Sequence, residues 1–203
     1  MSTQPSVFIV ESVRFSDEES GHREGRILSD ILRMSGKDVK YRYIRTKKEL
    51  RVVLKQFEKS QMRYLHISCH GSKSSLATTL DNIPFDEFAQ MVNPCLHKKR
   101  LFISACEATN KSLAREIFAD SGCISLCGPM GDILFGDAAL MWALFYHMMF
   151  KLNPSSMKGS DIGEVLERVS AVFGVAVKYF RSSEDDPYFV EKTIKPTRNP
   201  NAS

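Results

Sequence analysis

Residues 61–72 read QMRYLHISCHGS, and the way this stretch ends decides the fold. Tyr64 to Ser68 has the aromatic and β-branched character of a buried strand. The strand stops at His70, and Gly71 follows at once. Residues 100–107, RLFISACE, repeat the pattern: a strand from Arg100 to Ala105 runs out at Cys106-Glu107. Between the two, Phe85 to Val92 sets Phe85, Phe88 and Met91 on one side of a short helix. Two strands joined through a helix are expected to be parallel, so both end on the same edge of a sheet.

The flanking sequence continues the alternation. Val7 to Val10 reads as a first strand, and Ser16-Asp-Glu-Glu-Ser as a polar loop and helix start. Arg23 to Met34 carries Ile27, Leu28, Ile31 and Leu32 on one helical face, with Gly36 as its stop. Val39 to Ile44 alternates as a strand. Thr46-Lys-Lys-Glu49 has capping-box spacing before a helix bearing Leu50, Val53, Leu54 and Phe57. Gly71 to Pro84 is polar and long enough for a hairpin or a mobile loop. Ser112 to Ala119 reads as a helix and Cys123 to Cys127 as a strand. Asp137 is placed to cap an apolar helix over Ala138 to Lys151, and an amphipathic helix follows from about Glu164 to Phe173. The pattern predicts an α/β three-layer sandwich with a mostly parallel central sheet flanked by helices. One domain is expected over residues 1–180, with a polar tail over 181–203 that is partly disordered, its end from Lys195 to Ser203 above all.

Composition narrows the function. Of 203 residues, 43% are apolar and 26% charged, an ordinary balance for a globular domain. The net charge of +4 is spread along the chain; Lys37 to Arg51 and His97 to Arg100 read as solvated faces, so no nucleic-acid partner is expected. The start has no signal-peptide layout, and the apolar run Ala138 to Phe150 is short and interrupted by His147, so no membrane span is expected. Five cysteines, an odd number, imply reduced thiols and a cytoplasmic location. Cys123 and Cys127 are expected to face one side of a strand, too far apart for a tight chelate, so no metal is expected.

In a parallel sheet, function gathers at the carboxyl ends of strands. Adjacent strands would bring His70 and Cys106 face to face across a cleft. An imidazole can take the proton of a thiol, stabilise the thiolate and later protonate a leaving amine. Gly71 allows close approach of a substrate and leaves an N–H for a developing oxyanion. Cys69 points away from His70 as a core residue, and His66 lies too deep on the strand to share the site. Cys95 is expected to be an exposed thiol, Glu107 and Asp137 structural, and Trp142 core.

The pair of motifs, LHISCHGS and LFISACE, resembles the caspase-like cysteine peptidases, a group that includes caspases, metacaspases, gingipains, legumains, separases and CHAT-type peptidases, and looks most like the bacterial CHAT-like and short caspase-like branch. The resemblance implies His70 as catalytic histidine, Cys106 as nucleophile, and the backbone N–H groups of Gly71 and Cys106 as oxyanion donors. It implies that the loop after the Cys123 to Cys127 strand, with Gly131, Asp132 and Ile133, lines the substrate. It also implies a protein or peptide substrate, no cofactor, control by a regulatory protein partner, by self-processing or by oligomerisation, and a role in antiviral defence. Two departures leave the cleaved sequence open. Ser104 stands where metacaspases have an aspartate, and Glu107-Ala108 follows the cysteine where caspases have a basic residue or glutamine and then glycine. A catalytically silent caspase-like peptide-binding or assembly module is the alternative. A flavodoxin- or TIR-like nucleotide domain would need a glycine-rich loop after the first strand, and Glu11-Ser-Val-Arg has no glycine.

Overall fold

The computed structural model describes residues 4–196. A seven-stranded sheet runs through the centre of the molecule. In chain order its strands are β1 (Gln4–Glu11), β2 (Val39–Tyr43), β3 (Met62–Ser68), β7 (Arg100–Ser104), β8 (Ser125–Pro129), β9 (Val177–Ser182) and β10 (Phe189–Ile194). Their spatial order is β10-β9-β8-β7-β3-β1-β2. The first five are mutually parallel, and β9 and β10 are added antiparallel.

The helices form the two outer layers. On one face α3 (Lys47–Ser60), α4 (Phe85–Val92) and α5 (Lys111–Phe118) bury Leu50, Phe57, Phe88 and Ile117 against Phe8, Leu65 and Leu101. On the other, α2 (Glu24–Met34), α6 (Phe135–Leu152) and α7 (Gly159–Phe173) cover Ile9, Tyr64 and Phe102. Neighbouring residues of β1, β3 and β7 thus enter opposite cores, which is why these strands read as continuous apolar runs. The capping box is made as spaced: Thr46 accepts from the Glu49 N–H, and Glu49 accepts from the Thr46 N–H. Gly71 to Pro84 folds into a small antiparallel sheet of β4 (His70–Gly71), β5 (Ser75–Ala77) and β6 (Asn82–Pro84), anchored by Leu76 and Ile83.

Several expectations are corrected. The segment from Arg181 is not simply a tail, because it completes β9 and forms β10. Only Phe189 and Ile194 of β10 are buried, and the polar residues between them belong to an edge strand, where charge discourages pairing with other chains. Residues 197–203, most of the stretch expected to be disordered, lie outside the described residues. Helix α6 starts two residues before Asp137, with Leu134 at its cap position, so Asp137 sits in the first turn and favours the helix dipole instead of capping it. Cys123 precedes β8 and joins the α5 side of the core, whereas Cys127 joins the α6 side; the period of two fails because the strand begins only at Ser125. Cys95 is buried, its thiol against the Val92 carbonyl in the turn after α4.

Candidate active site

The strand register places the two motifs side by side. Ser68 of β3 pairs with Ser104 of β7, and the Cys69 N–H continues the ladder to the Ser104 carbonyl at 3.0 Å. His70-Gly71 and Cys106 therefore leave the sheet together. A Cβ at position 71 would lie 2.8 Å from the Cys106 carbonyl oxygen and 2.9 Å from the Cβ atoms of Ala105 and Ala108. Only glycine lets the histidine segment lie this close to the cysteine segment. Pairing of His70 with Ala77 on β5 fixes the histidine backbone from its other side.

The imidazole of His70 is held by an acid of the polar Ser16-Asp-Glu-Glu-Ser stretch. Residues 15–19 form a short helix, α1 (Phe15–Glu19), and its Asp17 Oδ2 lies 2.7 Å from His70 Nε2. Partial burial pushes the Asp17 carboxyl up. The hydrogen bond and charge of His70, helped by the Arg14 N–H and by His22, outweigh that and hold it below the usual carboxylate range. An ionised carboxylate accepts only, so it draws the imidazole proton to Nε2 and leaves Nδ1 as the basic nitrogen. The His70 and Phe135 rings meet in a T-shaped pair with centroids 5.6 Å apart, and His22 stacks on the same phenyl ring with centroids 4.9 Å apart.

Cys106 is half-buried, and its Sγ faces the Ile133 carbonyl at 3.9 Å. The loop 130–134 after β8 therefore reaches the thiol through Ile133, while the Asp132 side chain is exposed. The next residue, Glu107, takes a left-handed backbone with φ of 55°. Asn110 locks this turn. Its Nδ2 donates to the Glu107 carbonyl at 2.9 Å and to the Lys73 carbonyl at 3.0 Å, while its Oδ1 caps the N–H groups of Ser112 and Leu113 at the start of α5. One side chain thus ties the loop after Cys106 to the loop after His70.

Beneath the site lies a buried carboxylate. Glu24, at the start of α2, accepts from the hydroxyls of Ser68 at 3.0 Å and Ser104 at 2.9 Å through a single oxygen. Each serine lies two positions before a candidate catalytic residue, so Glu24 clamps the two strand ends together. Its other oxygen is 3.4 Å from His66 Nε2, and His66 Nδ1 meets the Tyr146 hydroxyl at 3.2 Å. His66 is fully buried, as its depth on β3 implied. Cys69 packs against the α3–α4 core. Burial pushes the thiols of Cys69, Cys95 and Cys123 up to about 12, and that of Cys127 up as well. All five cysteines are free, and no cluster of three or more His, Cys, Asp or Glu side chains among the described residues is arranged to hold a metal. No helix among them is long and apolar enough to cross a membrane.

No protein-family model matches the sequence, and no curated protein matches it. Solved structures do. An inactive zymogen C11 protease from Parabacteroides distasonis superposes with a TM-score of 0.61 over 89% of this chain, at 12% identity. A secreted C11 cysteine protease from Bacteroides thetaiotaomicron, iotapain, gives 0.64 over 89% at 9% identity. A complex of a secreted C11 protease from the same organism with an irreversible peptide inhibitor gives 0.61 over 88% at 9% identity. The fold is that of the C11 cysteine proteases. The chain spans 63–67% of the length of these C11 structures. Likeness at this level of identity establishes the caspase-like C11 architecture. What the strand ends carry in this chain has to be argued from its own side chains.

Proposed function

We propose that the chain is a cysteine endopeptidase in which Cys106 is the nucleophile, His70 the proton carrier and Asp17 the residue that orients His70. The observation carrying this reading is the constellation at one sheet edge: Gly71 packed on the Cys106 carbonyl, with His70 Nε2 held 2.7 Å from a carboxylate. Nδ1 takes the thiol proton, and the thiolate attacks the peptide carbonyl carbon. Negative charge builds on the carbonyl oxygen, for which the N–H groups of Gly71 and Cys106 are the donors. The C–N bond breaks as His70 returns its proton to the leaving amine. Water, deprotonated by the same imidazole, then hydrolyses the thioester and frees the thiol. A peptide carbonyl entering the site takes the place of the Ile133 carbonyl beside Sγ. The loop 130–134 is then the segment that substrate and any activating partner must act on. The CHAT-like branch and a defence role rest on the motif resemblance alone, and a cytoplasmic location on the cysteine count; two of the C11 structures are described as secreted.

The test is cleavage of a peptide library by the wild type, Cys106→Ala and His70→Ala, with iodoacetamide labelling of the five cysteines followed by mass spectrometry. Cleavage lost in both variants, with fast pH-dependent labelling of Cys106, is the expected result. Cleavage that survives Cys106→Ala removes the mechanism. Slow, uniform labelling without cleavage assigns the chain to the alternative of a silent peptide-binding module, a reading to which the Ile133 carbonyl against the thiol lends its support.

A further inference from the structure

The two flanks of Cys106 differ in chemistry. On the His70 side, Asp17 and Phe135 pack on the imidazole, and His22 stacks on Phe135. On the other a hollow of about 370 Å³ opens at Glu107, the residue after the cysteine, and is lined by Lys73, Thr109, Lys111, Met130 and Lys178. Lys73 arrives from the loop after His70, Lys111 from the first turn of α5, and Lys178 from β9, where it lies opposite Gly128. Three separate elements therefore direct an ammonium towards one place beside the candidate nucleophile.

The carboxylates there do not match them. Lys73 meets Glu107 at 3.4 Å, while Lys111, at 3.4 Å, and Lys178 share the single carboxylate of Glu191. Three cations face two anions. The Lys73 and Lys111 side chains are 82% and 67% exposed, so their pairs are weakly held and can be exchanged for an incoming anion at little cost. The first turn of α5 carries a lysine and no acid, contrary to the usual placement at the positive end of a helix. Thr109 lines the same hollow, is 1% exposed, and its Oγ1 has no hydrogen-bond partner among the described residues. Met130 adds an apolar contact for a methylene stem.

We infer that this hollow is a subsite for an acidic side chain, aspartate or glutamate, of the peptide substrate, close to the scissile bond. The inference rests on the peptidase reading for its setting. An extended peptide advances about 3.3 Å per residue, so a side chain within a residue or two of the carbonyl at Cys106 reaches the lysines. The subsite acts on binding, and its effect belongs in KM more than in kcat.

The test uses short labelled peptides carrying Glu, Gln or Lys at each position in turn, with binding to the Cys106→Ala protein measured by fluorescence anisotropy and cleavage by the wild type measured in parallel. At one position Glu should bind about three- to tenfold tighter than Gln, with the advantage shrinking at high salt. The double variant Lys73→Glu/Lys111→Glu should reverse the order in favour of Lys; both side chains are exposed, and an unchanged melting curve verifies its fold. No Glu advantage at any position, or one that survives the charge reversal, overturns the subsite. Cleavage without a Glu preference removes the subsite and leaves the peptidase reading standing. A Glu preference in binding without cleavage under any condition supports the subsite and removes the peptidase reading.

Discussion

His70 has one ring nitrogen committed to Asp17, and the proposed mechanism gives the other to the thiol. Replacing the carboxylate by an amide keeps the shape and removes the charge. Asp17→Asn should therefore lower kcat about tenfold to a thousandfold, within the range that general-base positioning contributes, with KM little changed. A loss confined to KM would make Asp17 a structural contact only. The sheet-end positions of His70 and Cys106 were legible because each follows a recognisable apolar run. Asp17 was not: it is one acid among three in Asp17-Glu-Glu, and nothing local distinguishes the one that meets a histidine 53 positions away. Asn110 did leave a signal, since Asn before Lys-Ser-Leu is an N-cap pattern, but its second role across the two loops did not.

Helix α1 has five residues, none of them buried, and could not persist alone. Glu18 anchors it. Hydrogen bonds from Arg45 and Tyr43, with the charges of Arg45 and Arg23, outweigh partial desolvation and hold the Glu18 carboxyl down at about 2. A depressed carboxylate lends its stability above the ordinary value of about 4.3 and loses it as pH falls through about 2, so the anchor holds across the physiological range. Glu18→Gln should raise amide exchange over residues 14–20 and lower turnover about three- to tenfold through Asp17, with the global melting temperature nearly unchanged. Unaltered exchange in that segment would show that α1 is held by other contacts. Asn110→Ala removes the cap of α5 and both loop ties together. It should cost about 1–2 kcal/mol in urea unfolding and also reduce turnover. A stability loss with full activity would restrict Asn110 to capping.

The sheet as one body extends past the expected domain boundary. β10 covers β9 along its full length and contributes Phe189 and Ile194 to both cores. Ending the chain after Ser182 should destabilise it by about 3 kcal/mol or more, from two buried apolar side chains and an exposed strand edge, and promote aggregation. A truncated protein that melts as the full chain does would restore the view of this segment as a tail. The same sheet explains Glu24, whose carboxylate joins Ser68 to Ser104 only because β3 and β7 are neighbours in that register. Cys95 and Cys123 show the converse: each sits in a locally polar or irregular stretch, and burial comes from helices and strands distant in sequence.

Periodicity was enough to read the parallel α/β sandwich, most of its helices, the Thr46 cap and the two strand ends that bear His70 and Cys106. Those features depend on residues within a few positions of one another, where apolar spacing and hydrogen-bonding side chains act directly on the backbone. The partners of those ends depended on the folded sheet. Asp17, Glu24, Asn110 and the lysine-lined hollow are polar groups whose local sequence is that of ordinary surface. Contacts across the sheet edge alone determine which carboxylate meets an imidazole, which is sealed beneath two serines and which lysines converge.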